Sequence, residues 1–204
     1  EAAGSEIVSW TDIEAAFRLE DVTHSPAFFD VKKLAAFTGD YILRMPRDEF
    51  VERASAELPP DWDRERFAAI APHIQERLTT LREVPDKVAF LFWPDGEPID
   101  YDTASWDKAF KPEWSAPLLA DVIAAYREAP WTADDLKAAL EQVMEPYSIK
   151  LGKAQAPVRV AVTGTAVGPP LFESLEVLGR DETIRRLSDA LEVASSDEPP
   201  ASGR

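Results

Sequence analysis

The chain has no cysteine and only two histidines, His24 and His73. The first absence removes disulfides, thiolate chemistry and cysteine-bound zinc, and it suits a reducing compartment. The two histidines form no His-x-x-x-His or His-Glu-x-x-His spacing, so they read as surface or satisfied helix residues rather than ligands. No apolar run is long enough to cross a bilayer, and a soluble chain is expected. The opening EAAGSEIVSW shows no start methionine, basic segment or apolar signal core; it reads as a chain entered midway, a piece of a longer protein. Positive charge is also in deficit. Lys and Arg total 22 against 38 Asp and Glu, a formal net charge of −16, which argues against a generic nucleic-acid binder. The deficit is uneven, because residues 149–172 hold no acid while carrying Lys150, Lys153 and Arg159. A locally buried apolar hairpin or helix pair would also explain that gap.

What is present is helical punctuation. The 204 residues are 45% hydrophobic, enough for one large domain or two to three small ones. Seventeen prolines divide the chain into short segments of helical period. Ser9 and Thr11 are cap candidates for a first helix, with Ile13, Ala16 and Phe17 on one face. Asp30 suits the cap of the next, where Leu34, Phe37 and Tyr41 recur at helical steps. Pro46 suits the first position of PRDEFVERASAEL. Pro59-Pro60 marks a break. After it, Phe67, Ile70, Ile74, Leu78 and Leu81 form one stripe, interrupted by Pro72, which predicts two helices or one kinked helix. DKVAFLFW fits strand or helix by period, and its helical neighbours favour helix. Thr132 suits the cap of a helix with Asp134 and Asp135 in its first turn, and Asp181 suits the cap of the last. From Ser195 the chain is small, polar and Pro-rich, and a disordered tail is expected over 195–204.

One stretch resists this pattern. APVRVAVTGTAVGPPLF, residues 156–172, looks like a β-branched strand running into a glycine turn. Thr163-Gly164-x-x-x-Gly168-x-Pro170 is one residue short of a dehydrogenase dinucleotide loop. That reading requires a βαβ unit and a parallel sheet behind it, and only about forty residues follow. Pro170 stands where the last glycine should, and it has no N–H to offer a pyrophosphate. There is no Tyr-x-x-x-Lys pair, P-loop or nucleophile elbow. Nothing points to catalysis within these residues. The six tryptophans, Trp10, Trp62, Trp93, Trp106, Trp114 and Trp131, read first as core and inter-helix packing. Arg77, Arg82 and Arg159 remain. Arg159 is the oddest, lying between two valines with no acid nearby in sequence, and so open to an outside anion or base.

These residues resemble the C-terminal end of bacterial-type glutamyl-tRNA synthetases. The family pattern has a Lys-Leu-Gly-Lys lead-in, a Pro-x-Arg-x-Ala-x-Thr-Gly core, a Pro-x-Leu-Phe-Glu stretch, and a Leu-Gly before a final Arg-Leu helix. These stand at Lys150–Lys153, Pro157–Gly164, Pro169–Glu173 and Leu178–Leu187. ERLTTLREVPDKVAFLFW is similar to the family's Arg-x-x-Thr-Leu segment, and DIEAAFRLEDVTHSPAFFDVKKLAAFTGDYI to the segment following its catalytic core. The likeness covers about residues 6–192. The ATP-binding signatures of the family's catalytic region are not in the chain.

The resemblance implies an all-α fold: a multi-helix stem-contact module over 1–58, then a two-part α-helical anticodon-binding domain over 59–130 and 131–194. PVRVAVTG becomes a short helix, with Pro157 in its first turn and Gly164 as its stop. The implied function is tRNA(Glu) recognition within glutamate–tRNA ligase, without catalysis by this piece alone. Implied partners are tRNA(Glu), with tRNA(Gln) as a second candidate, and the catalytic domain of the longer protein, in a cytoplasmic monomer with no membrane contact. ATP and Mg belong to the longer enzyme, with no cofactor in this piece. By the family pattern, Arg159 matches the contact to the middle anticodon base, and Gly168, Pro169 and Leu171 match the loop holding the first. Arg77 matches the reader of the third base, with Arg82 as its rival. Gly168 stands where some members carry a hydroxyl, which removes a side-chain hydrogen bond. The acidic balance predicts weak tRNA binding by this chain alone and a steep salt dependence. Two competing readings are a helical protein-interaction domain that kept the fold but lost tRNA, and a nucleotide-dependent oxidoreductase.

Overall fold

A computed structural model describes residues 8–22 and 30–196. His24, the opening EAAGSEI and most of the 195–204 tail lie outside them. Among the described residues there are eleven α-helices and no strand: α1 Trp10–Ala16, α2 Val31–Arg44, α3 Arg47–Ser55, α4 Arg64–Ile74, α5 Val84–Val88, α6 Thr103–Phe110, α7 Ser115–Glu128, α8 Ala133–Met144, α9 Leu151–Thr163, α10 Leu171–Leu178 and α11 Arg180–Ser195. Short 3-10 turns extend or join them, including Gln75–Arg77, Leu81–Glu83 and Ala89–Leu91. The all-α expectation holds, and the parallel sheet an oxidoreductase would need is not among these elements.

The helices begin where local chemistry satisfies their free N–H groups. Ser9 accepts from the Asp12 amide at 3.2 Å, Asp30 from Lys32 at 2.9 Å, and Thr132 from Asp135 at 3.2 Å. Such caps are typically worth about 1 kcal/mol each. Four expectations shift. Pro46 precedes α3 as its cap rather than opening it. Pro72 sits inside α4 near its C-terminal end, and the stripe continues past that helix, with Leu78 just after the 3-10 turn Gln75–Arg77 and Leu81 opening the next. The last helix is capped by Gly179, with Asp181 in its first turn. Pro157 lies inside α9 instead of its first turn, because Leu151–Ala156 extend the helix upstream. Gly164 does end α9, at φ 74°, where a side chain would be strained. A Cβ there would also meet the Asp100 carbonyl oxygen at 2.5 Å.

The α9 segment shows why its β-branched residues were misleading. Val158, Val160, Ala161 and Val162 are all fully buried. The helix is apolar around most of its circumference because α6, α7, α8 and α11 pack around it, and burial on several sides outweighs a weak strand propensity. α11 also lies along α7, and α10 joins α8 to α4. Phe67, Ile70 and Ile74 of α4 are thereby buried in the same core as Leu171 and Leu175 of α10. The contact of α4 with α10 brings the segment just after α4, which carries Arg77, alongside the turn just before α10.

The N-terminal helices differ. α1 buries no residue, and α2 buries only Ile42. Trp10 is 77% exposed and Phe17 65%, so the faces read as amphipathic are not covered by the described residues. Of the other tryptophans, Trp106 is buried between Tyr101 and Phe110, at ring distances of 4.5 and 4.1 Å. Trp62 stacks on Phe92 at 4.3 Å.

Candidate nucleic-acid interface

The turn from Gly164 to Pro170 is held from both ends. The Asp102 amide donates to the Gly164 carbonyl at 2.9 Å, and the Ala166 amide donates to Ser105 Oγ at 3.0 Å. Thr163 Oγ1 donates within the turn, and Ser174 Oγ donates to the Pro170 carbonyl at 2.6 Å. A loop this anchored presents its remaining backbone groups in fixed positions. Its apex, Val167, is 78% exposed.

Two arginines converge on it. Arg159 Nη1 donates to the Pro169 carbonyl at 2.6 Å, and Arg77 Nη1 reaches the adjacent Gly168 carbonyl at 3.4 Å. The second contact closes a sequence gap of 91 residues. Arg159 is half-buried and Arg77 exposed. Burial, and then the like charge of Arg77, push the Arg159 guanidinium below its ordinary range, while Glu173 acts in the opposite sense. Glu173 lies on α10, so the surroundings of Arg159 are acid-free along the chain but not in space. Among the described residues neither arginine hydrogen-bonds a carboxylate. A guanidinium has five N–H donors in a planar fork, and each of these spends one on the turn. What remains can address a base edge or face.

The structure therefore brings four expected residues to one place: Arg77, Arg159, Gly168 and Pro169. A Cβ on Gly168 would lie 3.5 Å from Arg159 Nη1, so a small side chain fits there in ordinary contact. Leu171 is 2% exposed. It anchors α10 in the core and leaves little side chain for an outside partner. Arg82, in the Leu81–Glu83 turn, is exposed and joins neither carbonyl.

Sequence reasoning missed the other wall. A cleft of about 350 Å³ adjoins the turn, lined by Lys87, Phe90 and Trp93 on one side and Thr163, Thr165, Gly168 and Pro169 on the other. Behind it sits Arg186, 1% exposed. Its Nη1 donates to the carbonyls of Phe90 at 2.8 Å and Val162 at 2.9 Å, and its Nε to Glu182 at 2.6 Å. Its guanidinium carbon lies 5.2 Å from the Trp93 ring centre. The only sequence signal was an arginine one helical turn after an acid on a helix otherwise read as amphipathic.

An all-α scaffold brings two guanidiniums, neither hydrogen-bonded to a carboxylate among the described residues, onto one anchored turn. The chain belongs to the anticodon binding domain family, whose sequence pattern matches residues 49–191. It is 52% identical over 92% of its length to a glutamate–tRNA ligase of Frankia casuarinae, covering 41% of that protein. It is 50% identical to one of Salinispora tropica, with 91% of the chain and 42% of that protein covered. The chain thus spans about two-fifths of the length of these relatives. A crystal structure of a glutamate tRNA ligase from Elizabethkingia meningosepticum, in complex with its amino acid, shares the fold. Its TM-score is 0.81 at 24% identity, over 95% of this chain and 38% of that one.

Proposed function

We propose that this chain recognises the anticodon of tRNA(Glu) as part of a longer, cytoplasmic and monomeric glutamate–tRNA ligase. The observation that carries the reading is the convergence of Arg77 and Arg159 on the Gly168 and Pro169 carbonyls. Single-stranded RNA is read by splaying bases apart and bonding their edges or stacking on their faces. Two guanidiniums, prealigned by backbone carbonyls and not neutralised by hydrogen-bonded carboxylates, suit that task. Arg159 addresses the middle base, the Gly168–Pro169 turn the first and Arg77 the third. Leu171 acts from the core by fixing the start of α10 beneath the turn. Arg77 is preferred to Arg82 because it reaches the turn.

The division of labour follows. Residues 1–58 contact the tRNA stem, and the helices of 59–130 and 131–194 close around the anticodon. ATP and Mg serve the catalytic region of the longer ligase. The turn at 163–170 does not suit a triphosphate, because Pro169 and Pro170 lack N–H groups and the Gly168 and Pro169 carbonyls are turned to cations. Photo-crosslinking of tRNA(Glu) through its anticodon bases tests the reading. Crosslinked peptides from 75–82 and 156–172 are expected, whereas crosslinks confined to other segments would favour a domain that has lost tRNA.

A further inference from the structure

We propose that the cleft beside the turn is a stacking pocket for one further unstacked base, with Trp93 as the stacking residue and Arg186 as the brace that positions it. The proposal rests on the anticodon reading above and extends it to residues outside the arginine pair. At about 350 Å³ the cleft lies at the small end of ligand sites, which run from about 300 to 1,000 Å³. That suits one base better than a larger ligand. Its inner wall is aromatic, with Phe90 4% exposed and Trp93 half-buried. Its lining carries both Asp86 and Lys87. A nearly balanced charge beside aromatic walls favours a base over a phosphate, and Lys87 is the cation available to the flanking backbone of the strand. Aromatic platforms beside basic residues are the general means of holding single strands.

The cleft is also preorganised. One guanidinium, that of Arg186, ties the backbone of Phe90 to the end of α9 at Val162 and lies over the Trp93 ring. The wall of the cleft, the end of α9 and the stacking ring are therefore tied to one buried side chain. Contact with that guanidinium restrains the Trp93 ring, which lowers the ordering cost of binding. Because Gly168 and Pro169 also line this cleft, a strand whose bases meet Arg77 and Arg159 passes its opening.

The test uses the full chain and the anticodon stem-loop of tRNA(Glu), intact and as a series with one abasic nucleotide at each loop position. Trp93→Leu is expected to weaken binding of the intact stem-loop about tenfold, and Trp93→Phe to restore most of it. On the RNA lacking the stacked base, wild type and Trp93→Leu should bind alike, a pattern that a general folding defect would not give. Wild-type affinity for Trp93→Leu, or an equal loss on every abasic RNA, overturns the proposal. Arg159→Ala on the same RNAs separates the two readings. If it weakens binding while Trp93→Leu does not, only the pocket fails; if neither does, the anticodon reading fails as well. Should Trp93→Leu not fold, stem-loops carrying 5-bromouridine at single loop positions decide the matter with wild-type protein. A crosslinked peptide containing Trp93 supports the pocket, and crosslinks elsewhere only, or none, overturn it.

Discussion

Two pairs of arginines stand in opposite settings in this molecule. Arg185 and Arg186 share Glu182, with Arg185 also bonded to Asp189 at 2.5 Å and Arg186 only 1% exposed. Arg77 and Arg159 are held by backbone carbonyls and have no carboxylate within hydrogen-bond reach among the described residues. The first pair has its charge cancelled inside the protein and braces helices. The second keeps its charge beside an anchored turn, Arg77 exposed and Arg159 half-buried. On the proposed reading, the difference explains how a chain of formal charge −16 would address a polyanion: what matters is which cations lack a hydrogen-bonded internal carboxylate, not the overall sum.

The comparison breaks most visibly at Glu182. Glu182→Ala leaves the buried Arg186 charge without its carboxylate, and a loss of about 3–5 kcal/mol in chemical denaturation is expected. A loss below about 1 kcal/mol would place this cluster with ordinary surface pairs. The same residue predicts an acid limb. Its hydrogen bonds to Arg185 lead the forces holding the Glu182 carboxyl below its ordinary 4.5. The stability it contributes is therefore fully present above about pH 4.5 and is lost as pH falls through the lower folded-state value. Glu182→Ala should flatten that limb.

Next in size is Gly164→Ala. The positive φ and the contact with the Asp100 carbonyl should cost about 1–3 kcal/mol. The turn that carries Gly168 should shift with it, so tRNA binding falls together with stability. Unchanged binding would show that the arginines act without the turn. Arg77→Gln sharpens the other side. It should relax discrimination between tRNA(Glu) and tRNA(Gln) by about 1–3 kcal/mol, the usual worth of a base contact, with little change in melting temperature because Arg77 is exposed. Equal loss for both tRNAs would indicate a backbone contact instead. The smallest effect belongs to Tyr126, whose buried hydroxyl has no hydrogen-bond partner. Tyr126→Phe should leave stability unchanged or raise it by about 1 kcal/mol. A clear loss in thermal unfolding would reveal a partner for that hydroxyl.

Much of the fold was legible because helix starts are written locally. Ser9, Asp30 and Thr132 cap the helices they were expected to cap, and the Phe67–Leu81 stripe is buried as far as Leu78, with Leu81 partly buried. Residues whose role depends on packing were harder to read. The valines of α9 imitate a strand because a helix enclosed by four others needs no polar face. Arg159 stood out locally for want of an acid in sequence, but its convergence with Arg77 did not, since Arg77 and Gly168 meet across 91 positions. The cleft was not visible at all. Trp93 and Lys87 come to the turn through the fold of α5 and the Ala89–Leu91 turn, and no local spacing records that approach. The exposed faces of α1 and α2 show the converse, an amphipathic pattern that the described residues leave uncovered.

The central claim is that Arg159 keeps its charge for RNA rather than for the fold. Its direct test is filter binding of tRNA(Glu) by Arg159→Ala, with thermal unfolding measured on the same preparation. The account predicts affinity weaker by about 1–3 kcal/mol, and a stability change within about 1.5 kcal/mol, the usual worth of the hydrogen bond lost to the Pro169 carbonyl. An unchanged dissociation constant, whatever the melting temperature does, would contradict it.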